Sequence, residues 1–121
     1  MTRKIFIIED DLPILDLMEI LIRKLGFEPV LVANAVESLE MIPQDPPALI
    51  LLDIMMAPMN GWELLELLRK DKSTREIPVI LFTASPSVQE KMAQLNDPHL
   101  GMLQKPVSFT ELKTEIGRFL G

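Results

Sequence analysis

Four short polar stretches hold the residues of this chain best suited to chemistry: Glu9-Asp10-Asp11, Asp53, Thr83 and Lys105. Three or four carboxylates at close range repel and raise one another's pKa unless a cation joins them. An all-oxygen donor set with few protein ligands favours a hard divalent ion, Mg²⁺ before Ca²⁺, and leaves positions open for water or a phosphoryl oxygen. A carboxylate can also attack phosphorus to form an acyl phosphate. A metal and a nearby ammonium would neutralise the transferring group while a hydroxyl hydrogen-bonds one of its oxygens. Each piece alone has an ordinary explanation. Acidic runs cap helices or line solvated loops, an Asp after a strand turns the chain, a Thr there caps a helix, and Lys-Pro is a common dipeptide.

Their joint placement is what counts, and the surrounding elements set it. Five short apolar runs alternate with helix-like segments. Ile5-Phe6-Ile7-Ile8 reads as a first strand, followed by a helix with Ile14, Met18, Leu21 and Leu25 on one face and Gly26 as its stop. Val30-Leu31-Val32 reads as the second strand, and Asn34 with Glu37 opens a short helix. Ala48 to Leu52 form the third strand, ending at Asp53, and Gly61 precedes a helix carrying Leu64, Leu65 and Leu68. Val79 to Phe82 form the fourth, ending at Thr83. Ser85 or Ser87 then caps a helix whose inner face is Val88, Met92 and Leu95. Leu100 to Leu103 form a weak fifth strand before Lys105-Pro106. Ser108 and Glu111 form a capping box for a last helix with a stripe of Phe109, Leu112, Ile116 and Phe119.

Apolar strands alternating with helices imply an α/β fold, a parallel sheet covered on both faces. Ligands of such sheets bind beyond the carboxyl ends of the strands. Glu9 and Asp10 follow the first strand, Asp53 the third, Thr83 the fourth and Lys105 the fifth. The sequence thus delivers a carboxylate cluster, a hydroxyl and an ammonium to one rim.

Bulk properties narrow the function classes. Residues 1–121 fit one domain, and 48% hydrophobic residues suffice for a core. Twelve basic against eighteen acidic residues give a net charge of −6, which disfavours direct nucleic-acid binding. No stretch reaches the ~18 to 20 apolar residues that span a bilayer. No secretory signal is visible, so no membrane partner and a cytoplasmic location are expected. With no cysteine, disulfides, thiolate zinc sites and cysteine nucleophiles are excluded.

The segments Lys4-Ile5-Phe6-Ile7-Ile8-Glu9-Asp10-Asp11, Leu51-Leu52-Asp53-Ile54-Met55-Met56 with Met59-Asn60-Gly61, Leu81-Phe82-Thr83-Ala84 and Gln104-Lys105-Pro106 together resemble the receiver domain of two-component response regulators. The resemblance runs from the first strand to the last helix. It implies a doubly wound, flavodoxin-like (βα)₅ sheet in order 2-1-3-4-5. It implies that Asp53 accepts a phosphoryl group from a histidine kinase or phosphotransfer protein, for onward signalling to an effector. It implies Mg²⁺ held by Asp10, Asp53 and the Met55 backbone carbonyl, with Glu9 acting partly through water. Lys105 would pair with the phosphoryl group, Thr83 would move to bond it, and the Lys105–Pro106 peptide would be cis. A homodimer through the fourth helix, fifth strand and fifth helix belongs to the same family pattern.

Three departures stand out. Ala57 takes the place of the usual proline, with Pro58 one residue later; Met102 replaces the usual aromatic; and Pro98-His99 replaces a Gly-Ala pair, so that Pro98 ends the fourth helix early. None removes a chemical group, so they bear on output rather than on phosphorylation. Met92, Leu100 and Met102 would form the partner surface if exposed. His99 reads as a loop residue, and Trp62 and the eight methionines as packing. Three other readings stay open: a receiver that has lost switching and serves as an interaction module, a small Mg²⁺-dependent aspartyl-phosphate phosphohydrolase, and a nucleotide or flavin binder. Adjacent acids rather than an Asp-x-Asp pair count against the second, and an acidic first loop that would repel phosphate counts against the third.

Overall fold

The computed structural model describes residues 3–84 and 87–121. Five strands and five helices alternate: β1 (Lys4–Ile8), α1 (Leu12–Lys24), β2 (Glu28–Val32), α2 (Ala35–Gln44), β3 (Leu49–Asp53), α3 (Gly61–Lys70), β4 (Val79–Thr83), α4 (Val88–Leu95), β5 (Leu100–Gln104) and α5 (Phe109–Leu120). The strands pair in parallel in the order β2-β1-β3-β4-β5, as the resemblance implied. Strand residues alternate between two cores, because successive side chains leave opposite faces of a pleated sheet. Ile5, Ile7, Leu49, Leu51, Ile80 and Phe82 meet Leu15, Met18 and Ile22 of α1 and Leu112 and Ile116 of α5. Phe6, Ile8, Ile50, Leu52, Val79 and Leu81 meet α2, α3 and Val88 of α4. β3 and β4 are buried throughout, which explains their unbroken apolar runs.

The structure shifts several sequence expectations. Leu15, Met18 and Ile22 form the buried face of α1, and Ile14, Leu21 and Leu25 only flank it. Nine of the thirteen α1 residues are apolar, too many for one face, so the sheet and not the sequence period chooses which of them is buried. β2 starts at Glu28 and admits Pro29 because it is an edge strand. α2 carries Pro43 in its last turn and is capped by Asn34, which accepts from Val36 and Glu37 N–H.

A reciprocal capping box sits at Asn60 and Glu63, at the start of α3. At α5 the Ser108 Oγ accepts from Glu111 N–H, but the Glu111 carboxylate takes the Ser108 hydroxyl rather than its backbone. Ser87 occupies the N-cap position of α4 without a side-chain capping bond, and Ser85 lies outside the described residues. Leu95 is exposed instead of facing inward. α4 ends there, and Asn96 takes the left-handed conformation two residues before Pro98. Leu100 is buried, and Met92 and Met102 pack half-buried against the core, so the three do not make an open apolar patch.

Candidate functional site

The rim at the carboxyl ends of the strands is held by backbone bonds before any side chain takes part. Glu9 N–H continues the β1–β2 ladder to the Val32 carbonyl at 3.1 Å, which fixes Glu9 just past the strand. Asp11 is turned to another use: its carboxylate caps α1 by accepting from Ile14 N–H. Asp10 stays exposed between them. Asp53 ends β3, and the chain then doubles back so closely that Gly61 is required. A Cβ there would lie 2.5 Å from the Asp53 carbonyl oxygen and 2.8 Å from the Ile54 Cα. Lys105 N–H donates to the Thr83 carbonyl at 2.9 Å, tying the end of β5 to that of β4. The Lys105–Pro106 peptide is cis, as the resemblance implied, and so is Ala57–Pro58, in the loop where the proline is displaced.

This scaffold gathers the expected side chains. One carboxylate oxygen each from Glu9, Asp10 and Asp53 lies within 4.8 Å of the others. The Lys105 ammonium donates to Glu9 Oε1 at 2.9 Å and to Asp53 Oδ1 at 3.3 Å. Its Nζ also sits 5.1 Å from the centre of the Phe82 ring, a contact the sequence reading did not single out. Met55 N–H donates to Asp53 Oδ1 at 3.4 Å, and the Met55 side chain points to solvent. Thr83 is buried at the end of β4. A cavity of about 530 Å³ opens beside the cluster, lined among others by Asp10, Met55, Asn60 and Trp62.

Electrostatics explain why this geometry invites a cation. Glu9 is pushed up to about 7, first by burial and then by its bond to Asp53, against the opposing pull of Lys105. Burial works to lower the Lys105 pKa, but its bond to Glu9 and the charge of Asp53 outweigh that, and the net shift is upward. One ammonium thus serves two of three clustered carboxylates. The donors are all oxygen, two of the acids are buried and the third faces solvent, which fits a hard divalent ion that keeps some of its water.

The other residues singled out in the sequence play no part in the cluster. His99 lies at the opposite, amino-terminal edge of β5, where its N–H donates to Asp97 and its carbonyl accepts from Val79 N–H and Arg69. Trp62 packs half-buried on the core with the Lys91 Nζ 4.6 Å over its ring. Met18 and Met56 are buried and Met41, Met59, Met92 and Met102 pack against the core; among the described methionines Met55 is the exposed exception.

Comparison with known proteins agrees with this arrangement. The family described as response regulator receiver domain matches residues 5–117. The phosphate regulon transcriptional regulatory protein PhoB of Klebsiella pneumoniae is 30% identical over 116 residues, 96% of this chain and 51% of that protein. The DNA-binding dual master transcriptional regulator RpaA of Synechocystis sp. is 29% identical over 97% of this chain and 48% of its own length. The chain therefore spans about half the length of the curated relatives it matches. Among solved structures, the N-terminal domain of a response regulator receiver protein from Methanoculleus marisnigri JR1 superposes with a TM-score of 0.79 at 33% identity, covering 98% of this chain and 97% of that one. The chemotaxis protein CheY4 of Vibrio cholerae, 21% identical, gives a TM-score of 0.88 over 99% of this chain and all of its own, a likeness of fold. With its sheet order, its rim of acids and lysine, and a family match over nearly its whole length, this chain belongs to the response regulator receiver domain family.

Proposed function

We propose that this receiver is a phosphorylation-dependent signalling switch in which Asp53 accepts a phosphoryl group from a histidine kinase or phosphotransfer protein. The observation that carries this reading is the pairing of Asp53 with the Lys105 ammonium, at 3.3 Å, inside a cluster of three carboxylates. A carboxylate oxygen of Asp53 would attack the phosphorus of a phosphohistidine as the P–N bond breaks and imidazole leaves. Glu9, Asp10, Asp53 and the Met55 carbonyl would hold Mg²⁺, directly or through water. When bound, that ion neutralises charge on the transferring group. Lys105 would exchange its carboxylate partners for a phosphoryl oxygen, and the Thr83 hydroxyl would bond another. The protein is then a phosphoacceptor and not an enzyme that turns over a separate substrate.

The phosphorylated state would act on an effector protein or domain. Transcriptional relatives with further sequence make a DNA-binding effector one natural output, but a receiver with net charge −6 would not itself bind nucleic acid. Among the described residues no helix is long and apolar enough to cross a membrane, and we place the protein in the cytoplasm, where its phosphodonor and effector would be.

Incubation with a small acyl phosphate and Mg²⁺ should add one base-labile phosphoryl group, read by intact mass. Asp53→Asn should abolish it. An adduct on another residue, or none from any donor including a cognate kinase, would remove the switch reading.

A further inference from the structure

We infer that Phe82 is a positioning residue for Lys105, a role that rests on the phosphorylation reading and adds to it a side chain with no polar atom. The face of the Phe82 ring holds the ammonium in the rim while the carboxylates beside it turn to other partners.

Phe82 stands one residue before Thr83 near the end of β4, in register with Asp53 of β3 on one side and Leu103 of β5 on the other. Its side chain leaves the sheet on the α1 and α5 face and is fully buried among close-packed neighbours, so the ring is fixed in place. Lys105 reaches it from the end of β5. The Lys105 Nζ lies 5.1 Å from the ring centre, 2.9 Å from Glu9 Oε1 and 3.3 Å from Asp53 Oδ1, so the ammonium has two charged partners and one apolar one. Three other cations lie over rings among the described residues, but there Lys24, Lys91 and Arg118 are exposed and Phe109, Trp62 and Phe119 are only half-buried. The Lys105 side chain is 22% exposed and its ring partner has no access to water, the setting in which a cation–ring attraction counts most.

The three partners differ in how long they can serve. Glu9 and Asp53 belong to the carboxylate cluster that fits a divalent ion, and any cation they hold repels the ammonium. Asp53 would also lose its charge on forming the new P–O bond. A lysine that loses its carboxylates follows its flexible stem out to water. The ring meets no such competition, since it offers a hard cation no oxygen. Its attraction for an ammonium is broad in direction, so Nζ can pivot from a carboxylate to a phosphoryl oxygen without leaving the ring face. An aliphatic side chain of equal bulk would fill the core as well but would present no negative face to the ammonium.

Replacing Phe82 with mono-, di- and trifluorophenylalanine tests this, because fluorine drains the ring face of negative potential while barely changing its shape. Binding of beryllofluoride, which takes the place of the phosphoryl group, should weaken step by step at saturating Mg²⁺, by about fivefold at the trifluoro ring. Mg²⁺ affinity without beryllofluoride should not fall, and thermal melts should be unchanged. The same series at Phe6, a buried ring of the opposite core, should leave beryllofluoride binding as it is in the wild type. A flat response at Phe82, an equal loss at Phe6 or a parallel loss of Mg²⁺ affinity overturns the inference. Those failures leave the switch itself standing, whereas a wild type that takes neither beryllofluoride nor a phosphoryl group overturns both.

Discussion

At the carboxyl ends of β1, β3 and β4, Glu9, Asp53 and Thr83 are no more than 2% exposed, and the Lys105 ammonium grips the two acids. A short way along the chain, α4 buries only Val88 along eight residues and ends at a left-handed Asn96. Two regions of one small fold are thus held very differently. In the rim, buried charges fix one another's positions, since moving any of them strands the rest. α4 has little apolar area to hold it, and its far end is fastened by a polar strut. Arg69 of α3 donates to Asp97 at 2.7 Å, to the Ile77 carbonyl at 2.9 Å and to the His99 carbonyl at 3.1 Å. The departures from the family pattern at Pro98-His99 and Met102 fall beside this loosely packed helix, and the chemical groups fall in the rim. In the proposed switch, receiving a phosphoryl group and reporting it would therefore rest on separable parts of the molecule.

The largest effect that would break or sharpen this contrast is expected at the strut. Arg69→Met keeps the stem but leaves the Asp97 carboxylate, only 14% exposed, without its ion-pair partner, and takes a donor from the Ile77 and His99 carbonyls. Losing one side of such a pair costs about 3 kcal/mol. Urea unfolding should show that loss, while labelling of Asp53 by a small acyl phosphate should keep its rate in the folded protein. Loss of labelling in step with stability would mean that the two regions are one.

The rim was largely legible in the sequence and the strut was not, for a physical reason. Strand ends can be read from where apolar runs stop, and a parallel sheet brings all those ends to one edge, so Glu9, Asp10, Asp53, Thr83 and Lys105 could be placed together before any coordinates. Arg69 and Asp97 lie 28 residues apart on helical and loop positions where a charge is ordinarily solvated, and no local pattern links them. The face of α1 was misread for a related reason. Leu12, Ile14, Leu15, Leu17, Met18, Ile20, Leu21 and Ile22 leave only the narrow strip of Asp16, Glu19 and Arg23 polar, too little to single out the buried face. The residue surplus that hid its inner face is the same one that leaves Leu17 and Ile20 in water.

A smaller effect, within the rim, follows from Glu9. Its carboxyl titrates near 7 in the fold against about 4.5 in an unfolded chain. Below 4.5 both states hold the proton and above 7 neither does; between these values the folded state holds it more tightly. Glu9 therefore favours the metal-free fold at low pH and loses that contribution as pH rises through about 7. A divalent ion must displace the same proton, so apparent Mg²⁺ affinity should climb by up to about tenfold per pH unit below 7 and level off above. Mg²⁺ titrations followed by thermal shift at pH 5.5, 7 and 8 would show this, and Glu9→Gln should flatten the profile. A flat profile in the unaltered protein would mean that Lys105 already keeps Glu9 ionised.

The smallest effect, and the sharpest test of the contrast, concerns Met102. In the proposed switch, reporting a phosphoryl group would mean shifting a population between two arrangements of α4 and its surroundings. A swing from 1:99 to 99:1 needs ~5.5 kcal/mol of differential stabilisation. A new hydrogen bond from Thr83 to the phosphoryl group would supply part of that, and in an aromatic-bearing receiver a ring locked in or out would help define the end states. Met102 has no ring. Its N–H is fixed by Glu115, but its unbranched side chain, half-buried against the core, fills either arrangement about equally well. With α4 held by so little area, the second arrangement should already be populated at a few per cent before phosphorylation, within reach of relaxation-dispersion NMR. Dispersion is expected at Val88 to Leu95 and Met102 in the unmodified protein, and it should diminish but persist with beryllofluoride and Mg²⁺. Met102→Tyr should quench it in both forms and enlarge the shift between them. A single rigid state that moves wholesale on binding the phosphate mimic would mean that α4 is held by more than its buried area, and the contrast with the rim would fail at the point where it matters for signalling.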